Sequence, residues 1–470
     1  MSRLNPRTSS PTRSIWYPLS ENTFREHLVA LEKRTNAVPV DPQIFPLTTS
    51  APCTPTLSLH VEQQLADDLA FLAAIEEGAQ SVAAVCLEEY ISPRRLVVRF
   101  AALDLSLSAE VKDALQHIVD LILFPSAPGE ETSLPKQSKY EELFSVIVNL
   151  HFRRLLARLR SAKWEKPTYL RQQHKKPLWA DFPNLSHRVQ FVYTKKESAL
   201  RREVETHIAV LASTYDAFES APPENNLPAL HHLIHTSYSF IKTPEIAAFA
   251  ERLDRSVTGT PTRQIASALK TLLQVEKIAA YWRITRSLLD TARTYPALFV
   301  EKVELAFLTP YASVPTSVAY ESWAATCHVH AEVQLAVYYD LRSQNQYQDE
   351  GVLRPRVIGT SKWLCYLCYL FLREHGGFRP ANTHGRLYDQ WTVPDLEEYG
   401  GEMRGRYREI VRGIDEEVVR VTLGVEEGVR WRAEPMTSRQ NLLGDDNAGV
   451  MEREGGEDVS SKLAGLDIKN

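Results

Sequence analysis

Cys327-His-Val-His-Ala-Glu332, followed downstream by Cys365-Tyr-Leu-Cys368, is the stretch on which the reading of this chain turns. Two cysteines in C-x-x-C spacing at a helix start stand on one turn and can chelate a single ion, and the helix N-terminus favours the thiolate. His330, at a second helix start, supplies a third ligand. Three protein ligands leave one tetrahedral position for water, the arrangement of a catalytic zinc site, whereas a structural site closes that position. Glu332 follows His330 by two residues. Near a first helical turn that offset aims both side chains into one pocket without making the carboxylate a ligand. Zinc lowers the pKa of water toward neutrality, and Glu332 is then placed to take the water's proton and pass it to a ring nitrogen and a departing amine. Such parts suit hydrolytic attack on an amidine-like ring carbon.

Blander readings compete. Cys365 and Cys368 alone would suit a redox pair, which leaves His330 and Glu332 without a role. Cys327 or His328 could close the coordination sphere. The zinc would then be structural, and the chain a non-catalytic module serving protein or RNA binding. His231 and His235 also stand one helical turn apart, but no acidic residue lies between them as a metalloprotease site requires, and they read as surface or core histidines.

Outward from the motif, the texture alternates between short β-like runs (298–308 and 356–359) and helical stretches (332–341 and 365–374), which argues for an α/β unit over residues 299–422. Upstream, from 58 to 298, helical patterns dominate. Ser108-Ala-Glu110 opens a helix whose Val111, Leu115, Ile118 and Ile122 share a face; a second runs from about 140 to 160, and Ile265, Leu269, Leu272 and Leu273 stripe a third. Residues 1–57, rich in Pro, Ser and Thr, and the acidic, Gly-rich residues 436–470 read as disordered tails. The expected fold class is α+β overall: a mainly α-helical N-terminal region, then the α/β unit that carries the motif.

The local wording resembles one family. His330-Ala-Glu332-Val-Gln-Leu, Ile358-Gly-Thr-Ser-Lys362-x-x-Cys365-x-x-Cys368-Tyr-Leu-Phe and Thr383-His-Gly-x-Leu-Tyr388-x-x-Trp391-x-x-Pro394 together are similar to the OTT_1508-like deaminases, a branch of fungal type within the zinc-dependent nucleic acid and nucleotide deaminase superfamily. The resemblance covers about residues 300–420. It implies a cytidine deaminase-like α/β/α sandwich, a Zn2+ cofactor and hydrolytic deamination of a cytosine or adenine base in a nucleotide or nucleic acid. Leu364 stands where many deaminases have a proline before the first cysteine. Around the motif, His384, Trp363, Lys362 and Tyr366 are the expected substrate contacts: aromatic rings stack on a base, and a lysine reaches a phosphate. Packing is the competing role for Trp363 and Trp391, and helix capping for Ser361.

Composition narrows the setting. Five cysteines in 470 residues, an odd number, argue against a disulfide framework and for a reducing, intracellular location, cytoplasm or nucleus. No apolar run approaches the roughly 20 residues that span a bilayer. The net charge of −5 conceals a basic stretch over 153–202, interleaved with Trp164, Tyr169, Trp179, Phe182, Phe191 and Tyr193. That mixture suits a single-stranded nucleic-acid path, with solvated helix faces as the alternative.

Overall fold

Three serines set the first helices. The hydroxyls of Ser20, Ser58 and Ser108 accept hydrogen bonds from the backbone N–H groups of Thr23, Val61 and Val111, and so cap α1 (Glu21–Thr35), α2 (Leu59–Ala73) and α3 (Ala109–Ile122). The computed structural model describes residues 13–48, 55–75, 82–103, 107–123, 136–166, 176–255, 262–300, 302–321, 324–345 and 351–424. Between α1 and α3 lie β1 (Gln43–Ile44) and a long hairpin, β2 (Ala83–Ile91) with β3 (Arg94–Ala102), turning at Ser92-Pro93.

The chain forms two compact units. The second is built on residues 128–290 and is helical: α4 (Lys136–Leu150), α5 (Phe152–Leu159), α6 (Phe182–Val192), α7 (Ser198–Ser220), α8 (Asn226–Lys242), α9 (Pro244–Arg255) and most of α10 (Arg263–Thr294). Its interior holds Phe144, Ile147, Leu211, Phe218, Leu233, Phe249 and Tyr281.

The first unit resumes at residue 291 and contains the motif. Its later elements are β4 (Glu304–Phe307), β5 (Val314–Pro315), β6 (Thr326–Val329), α11 (Ala331–Gln344), β7 (Val352–Leu353), β8 (Gly359–Thr360), α12 (Tyr366–His375), β9 (Asn382–Thr383), β10 (Trp391–Thr392) and α13 (Gly401–Gly424). The β2–β3 hairpin is the centre of a five-stranded sheet: β4 runs parallel to β3, and β7 and β8 pair antiparallel with β2. Alternate residues of β2 serve opposite faces. Ala84 and Cys86 pack with α11, and buried Glu88 accepts from Tyr339 Oη (2.8 Å), Arg342 (3.1 Å) and Arg99 (2.6 Å). On the other side, Glu89 accepts from the N–H groups of Thr56 (2.7 Å) and Leu57 (3.1 Å), just ahead of α2. A small sheet, β5–β6–β10, pairs β6 parallel with β10 and leads directly into α11.

Several expectations need correction. Residues 21–35 and 43–44, placed in a disordered tail, form α1 and β1; the Phe24, Leu28 and Leu31 stripe is fully buried and anchors the helix in the core of the first unit. The region 58–298 is not one helical domain: α2, the β2–β3 hairpin and α3 belong to the first unit, and the helical unit begins only after them. The strand expected over 298–308 is confined to Glu304–Phe307, and that over 356–359 to Gly359–Thr360. The helix expected over 140–160 is interrupted at His151. The tail 436–470, and Tyr169, Arg171 and Lys175 of the basic stretch, lie outside the described residues. Within that stretch Arg154, Arg158 and Arg188 are buried in the helical unit, whereas Lys176, Lys195, Lys196, Arg202, Trp179 and Phe191 are exposed. Among the described residues no helix is long and apolar enough to cross a membrane.

Candidate metal centre and active site

Strand β6 ends where the site begins. His330 keeps extended backbone angles (φ −64°, ψ 152°) and is the N-cap of α11, its carbonyl accepting from Gln334 N–H at 3.0 Å. Gln334 in turn donates its side-chain amide to the carbonyls of Val329 (2.9 Å) and Ala102 (2.7 Å), tying the start of α11 to β6 and to the end of β3. Cys365 holds the equivalent place on α12: it is the N-cap, and its sulfur accepts from Cys368 N–H at 3.3 Å. Backbone bonds from His384 N–H to Leu364 O (3.0 Å) and from Tyr366 N–H to Arg386 O (2.9 Å) fix that helix start against the 382–387 loop.

These two helix starts converge. His330 Nδ1 lies 3.6 Å from Cys365 Sγ and 3.4 Å from Cys368 Sγ, and the three ligand atoms all fall within 4.8 Å of one another. A tetrahedral zinc with ordinary Zn–S and Zn–N bonds separates its nitrogen and sulfur ligands by about 3.6 Å. The donor set therefore fits zinc in both chemistry and spacing. Among the described residues this is the only such cluster. Cys327 and His328 are not in it. The Cys327 thiol meets the guanidinium of buried Arg25 instead, and His328 Nε2 lies 3.2 Å from Thr326 Oγ1. The closing ligand that would make the site inert is thus not brought to the other three.

Glu332, on the first turn of α11, is 4% exposed, and its Oε2 accepts from the Cys368 thiol at 3.4 Å. Burial raises its pKa, opposed by the nearby His330 charge. The cysteines diverge. Burial would raise both; in Cys365 it is outweighed by hydrogen bonds from Cys368 and by His330, which hold the thiol well below its ordinary value, whereas Cys368 is pushed well above. The Cys365 sulfur, held below its ordinary pKa, and the Glu332 carboxyl, held above its own, thus stand at the two converging helix starts.

The remaining expected contacts separate. His384 is buried; Arg386 N–H donates to its Nδ1 at 3.0 Å, and burial lowers its pKa to about 4. Its ring makes an edge contact with Tyr388 (6.0 Å), Tyr388 in turn lies 6.3 Å from the His330 ring, and the charge of Cys365 acts on His384. Lys362 is half-buried, close enough for its charge to act on His384. Trp363 is 4% exposed, with an indole N–H that finds no partner among the described residues. Tyr366 is 1% exposed and belongs to the core cluster that also holds Leu370, Phe371 and the two cysteines. Trp391 is likewise core. Ser361 does not cap α12; its hydroxyl accepts from Ala83 N–H at 3.0 Å and pins β8 to β2. His231 and His235 pack against Phe144 in the helical unit, outside any three-residue metal cluster.

Sequence reasoning missed Arg25 and the loop contacts of the N-terminal segment. The α1 stripe was legible at i, i+4 and i+7, but no local signal tells which loop a short extended segment will meet. The comparisons fit the geometry. Residues 329–395 match the family model of the OTT_1508-like deaminases, a stretch that contains His330, Glu332, Cys365, Cys368 and His384 and supports the family resemblance read from the sequence. No curated protein and no solved structure matches the chain.

Proposed function

We propose that this chain is a zinc-dependent hydrolytic deaminase acting on a cytosine or adenine base in a nucleotide or nucleic acid, built on a cytidine deaminase-like sandwich in its first unit. The observation that carries the reading is the convergence of His330, Cys365 and Cys368 beside a buried carboxyl that is not one of the ligands. A purely structural site has no use for that carboxyl. Bound at the three ligands, zinc supplies Lewis acidity that makes water acidic near neutral pH.

The protein's own groups do the rest. Glu332 takes a proton from the attacking water at a carboxylate oxygen and delivers it to the ring nitrogen, so that a C–O bond forms while the ring double bond shifts. It then takes the second proton from the hydroxyl newly added to the ring carbon and passes it to the exocyclic amine, the C–N bond breaks, and ammonia leaves with a carbonyl in its place. Trp363, two residues before Cys365, and His384 are the groups assigned to hold the base; Lys362 is assigned to a phosphate. The exposed Lys195, Lys196 and Arg202, with Trp179 and Phe191, are the part of the basic stretch we assign to nucleic-acid contact.

Ammonia release from a panel of nucleobases, nucleosides, nucleotides and short oligonucleotides, with zinc-loaded protein and Glu332→Ala as control, tests the reading. Turnover of a cytosine or adenine substrate that is lost in Glu332→Ala supports it. One zinc per chain with no turnover on any member would instead favour a non-catalytic module.

A further inference from the structure

The N-terminal segment grips the loop that carries His384 from both sides. Upstream of the histidine, β1 pairs antiparallel with β9 (Gln43 with Thr383, Ile44 with Asn382), and Phe45 N–H donates to Ala381 O at 2.8 Å. The Phe45 ring stacks on Tyr369 of α12, with centroids 4.8 Å apart and planes 8° apart. Downstream, Leu387 N–H donates to Ala37 O at 2.8 Å. Between these ties Gly385 takes φ +73°, and a Cβ there would lie 1.9 Å from Val40 O. The loop therefore follows the 37–45 segment at a distance only glycine allows. Inside this grip Arg386 N–H donates to His384 Nδ1, which must accept and so leaves the ring proton on Nε2. Nε2 has no hydrogen-bond partner among the described residues.

We propose that residues 37–45 are part of the substrate site: they fix the 382–387 loop so that His384 presents its Nε2–H as a hydrogen-bond donor to a carbonyl oxygen or unprotonated ring nitrogen of the substrate base. The assignment of the base as ligand rests on the deaminase reading; the clamp and the tautomer do not. The segment lies outside the stretch matched by the family, so this part of the proposed substrate site comes from a part of the chain the family match does not include. His384 is the group that touches substrate. Ala37, Val40, Ile44 and Phe45 act through it and are positioning residues.

The test uses full-length, zinc-loaded protein with 15N-labelled histidines, the His384 ring signals being assigned by their loss in His384→Gln. Expected are the Nε2–H tautomer and no titration between pH 8 and pH 5. Phe45→Ala, which removes a ring at the edge of the clamp, should mix the tautomers or bring in a titration while zinc stays at one per chain. Gly385→Ala should do the same more strongly wherever it folds. On a turned-over substrate, His384→Phe should lower kcat/KM by roughly 10- to 100-fold, with partial recovery in His384→Gln. Phe45→Ala should raise KM more than it lowers kcat. An Nδ1–H tautomer, titration near pH 6.5 in the parent protein, or an unchanged His384 signal in Phe45→Ala would overturn the clamp. Absence of turnover in the parent protein would defeat the deaminase reading alone, because the spectra still decide the clamp.

Discussion

Cys368 donates its thiol hydrogen to Glu332 Oε2 at 3.4 Å, which places the proposed proton carrier in direct contact with a proposed metal ligand. Both residues are buried, and each sits on the first turn of its own helix. Contact between a ligand sulfur and a carboxyl that does not itself ligate is the arrangement on which the predictions about chemistry depend.

Metal removal is the first of these. Zinc that binds only the folded chain stabilises it by about 2.7 kcal/mol at a free concentration 100 times its Kd. A chelator should therefore lower the Tm of the parent protein, and added zinc should restore it. In His330→Ala and Cys368→Ala the difference between chelated and zinc-supplemented samples should vanish. Differential scanning calorimetry with metal analysis reads both, and a zinc-dependent Tm surviving in both variants would contradict the ligand assignment.

A pair of glycines tests the packing that carries the site. A Cβ on Gly359 would lie 2.2 Å from the Ala66 carbonyl carbon and 2.4 Å from Asp67 N, so α2 crosses β8 at a separation no side chain permits. Gly359→Ala should cost about 3 kcal/mol, since backbone on both sides must move. Gly405, within α13, has nothing within 4 Å of its would-be Cβ. Gly405→Ala should stabilise by about 0.5–1 kcal/mol through helix propensity. Denaturant melts of the two variants should shift in opposite directions; a neutral Gly359→Ala would mean the helix and strand are less closely packed than described.

Glu32, on α1, provides a pH test. Burial, then the charges of Asp389 and Glu321 against that of Arg386, raise its pKa to about 8. The folded chain thus holds this proton more tightly than the unfolded chain, in which an ordinary carboxyl titrates near pH 4.5. Its contribution is fully present below that value and is lost as pH rises toward about 8. Glu32→Gln should therefore lose less Tm than the parent protein between pH 5 and pH 8.5. Parallel loss in the two proteins would show that Glu32 titrates normally.

The sequence made some parts of this molecule legible and concealed others, for physical reasons. His330, Glu332, Cys365 and Cys368 could be read because each pair lies within one helical start, where spacing alone fixes geometry. The starts of α3, α11 and α12 fall within a residue or two of expectation, and at α3 and α12 a local side-chain cap sets them. An aromatic next to a motif, such as Tyr366, reads the same whether it faces the pocket or the core. The β2–β3 hairpin went unnoticed because most residues of its strands are buried on both faces, which removes the polar alternation that marks a half-exposed strand. That the first unit is assembled from segments on both sides of the helical unit depends on pairings such as Val97 with Glu304, which no local pattern encodes.

The most direct test of the account is a single paired measurement on Glu332→Gln, which keeps the shape of the side chain and removes its ability to carry a proton. Zinc content and ammonia release should be measured on the same preparation, with the parent protein alongside. The account predicts one zinc per chain in both proteins and a rate lowered by about 10²- to 10⁴-fold in the variant. A variant that keeps its zinc and deaminates at the parent rate would contradict it.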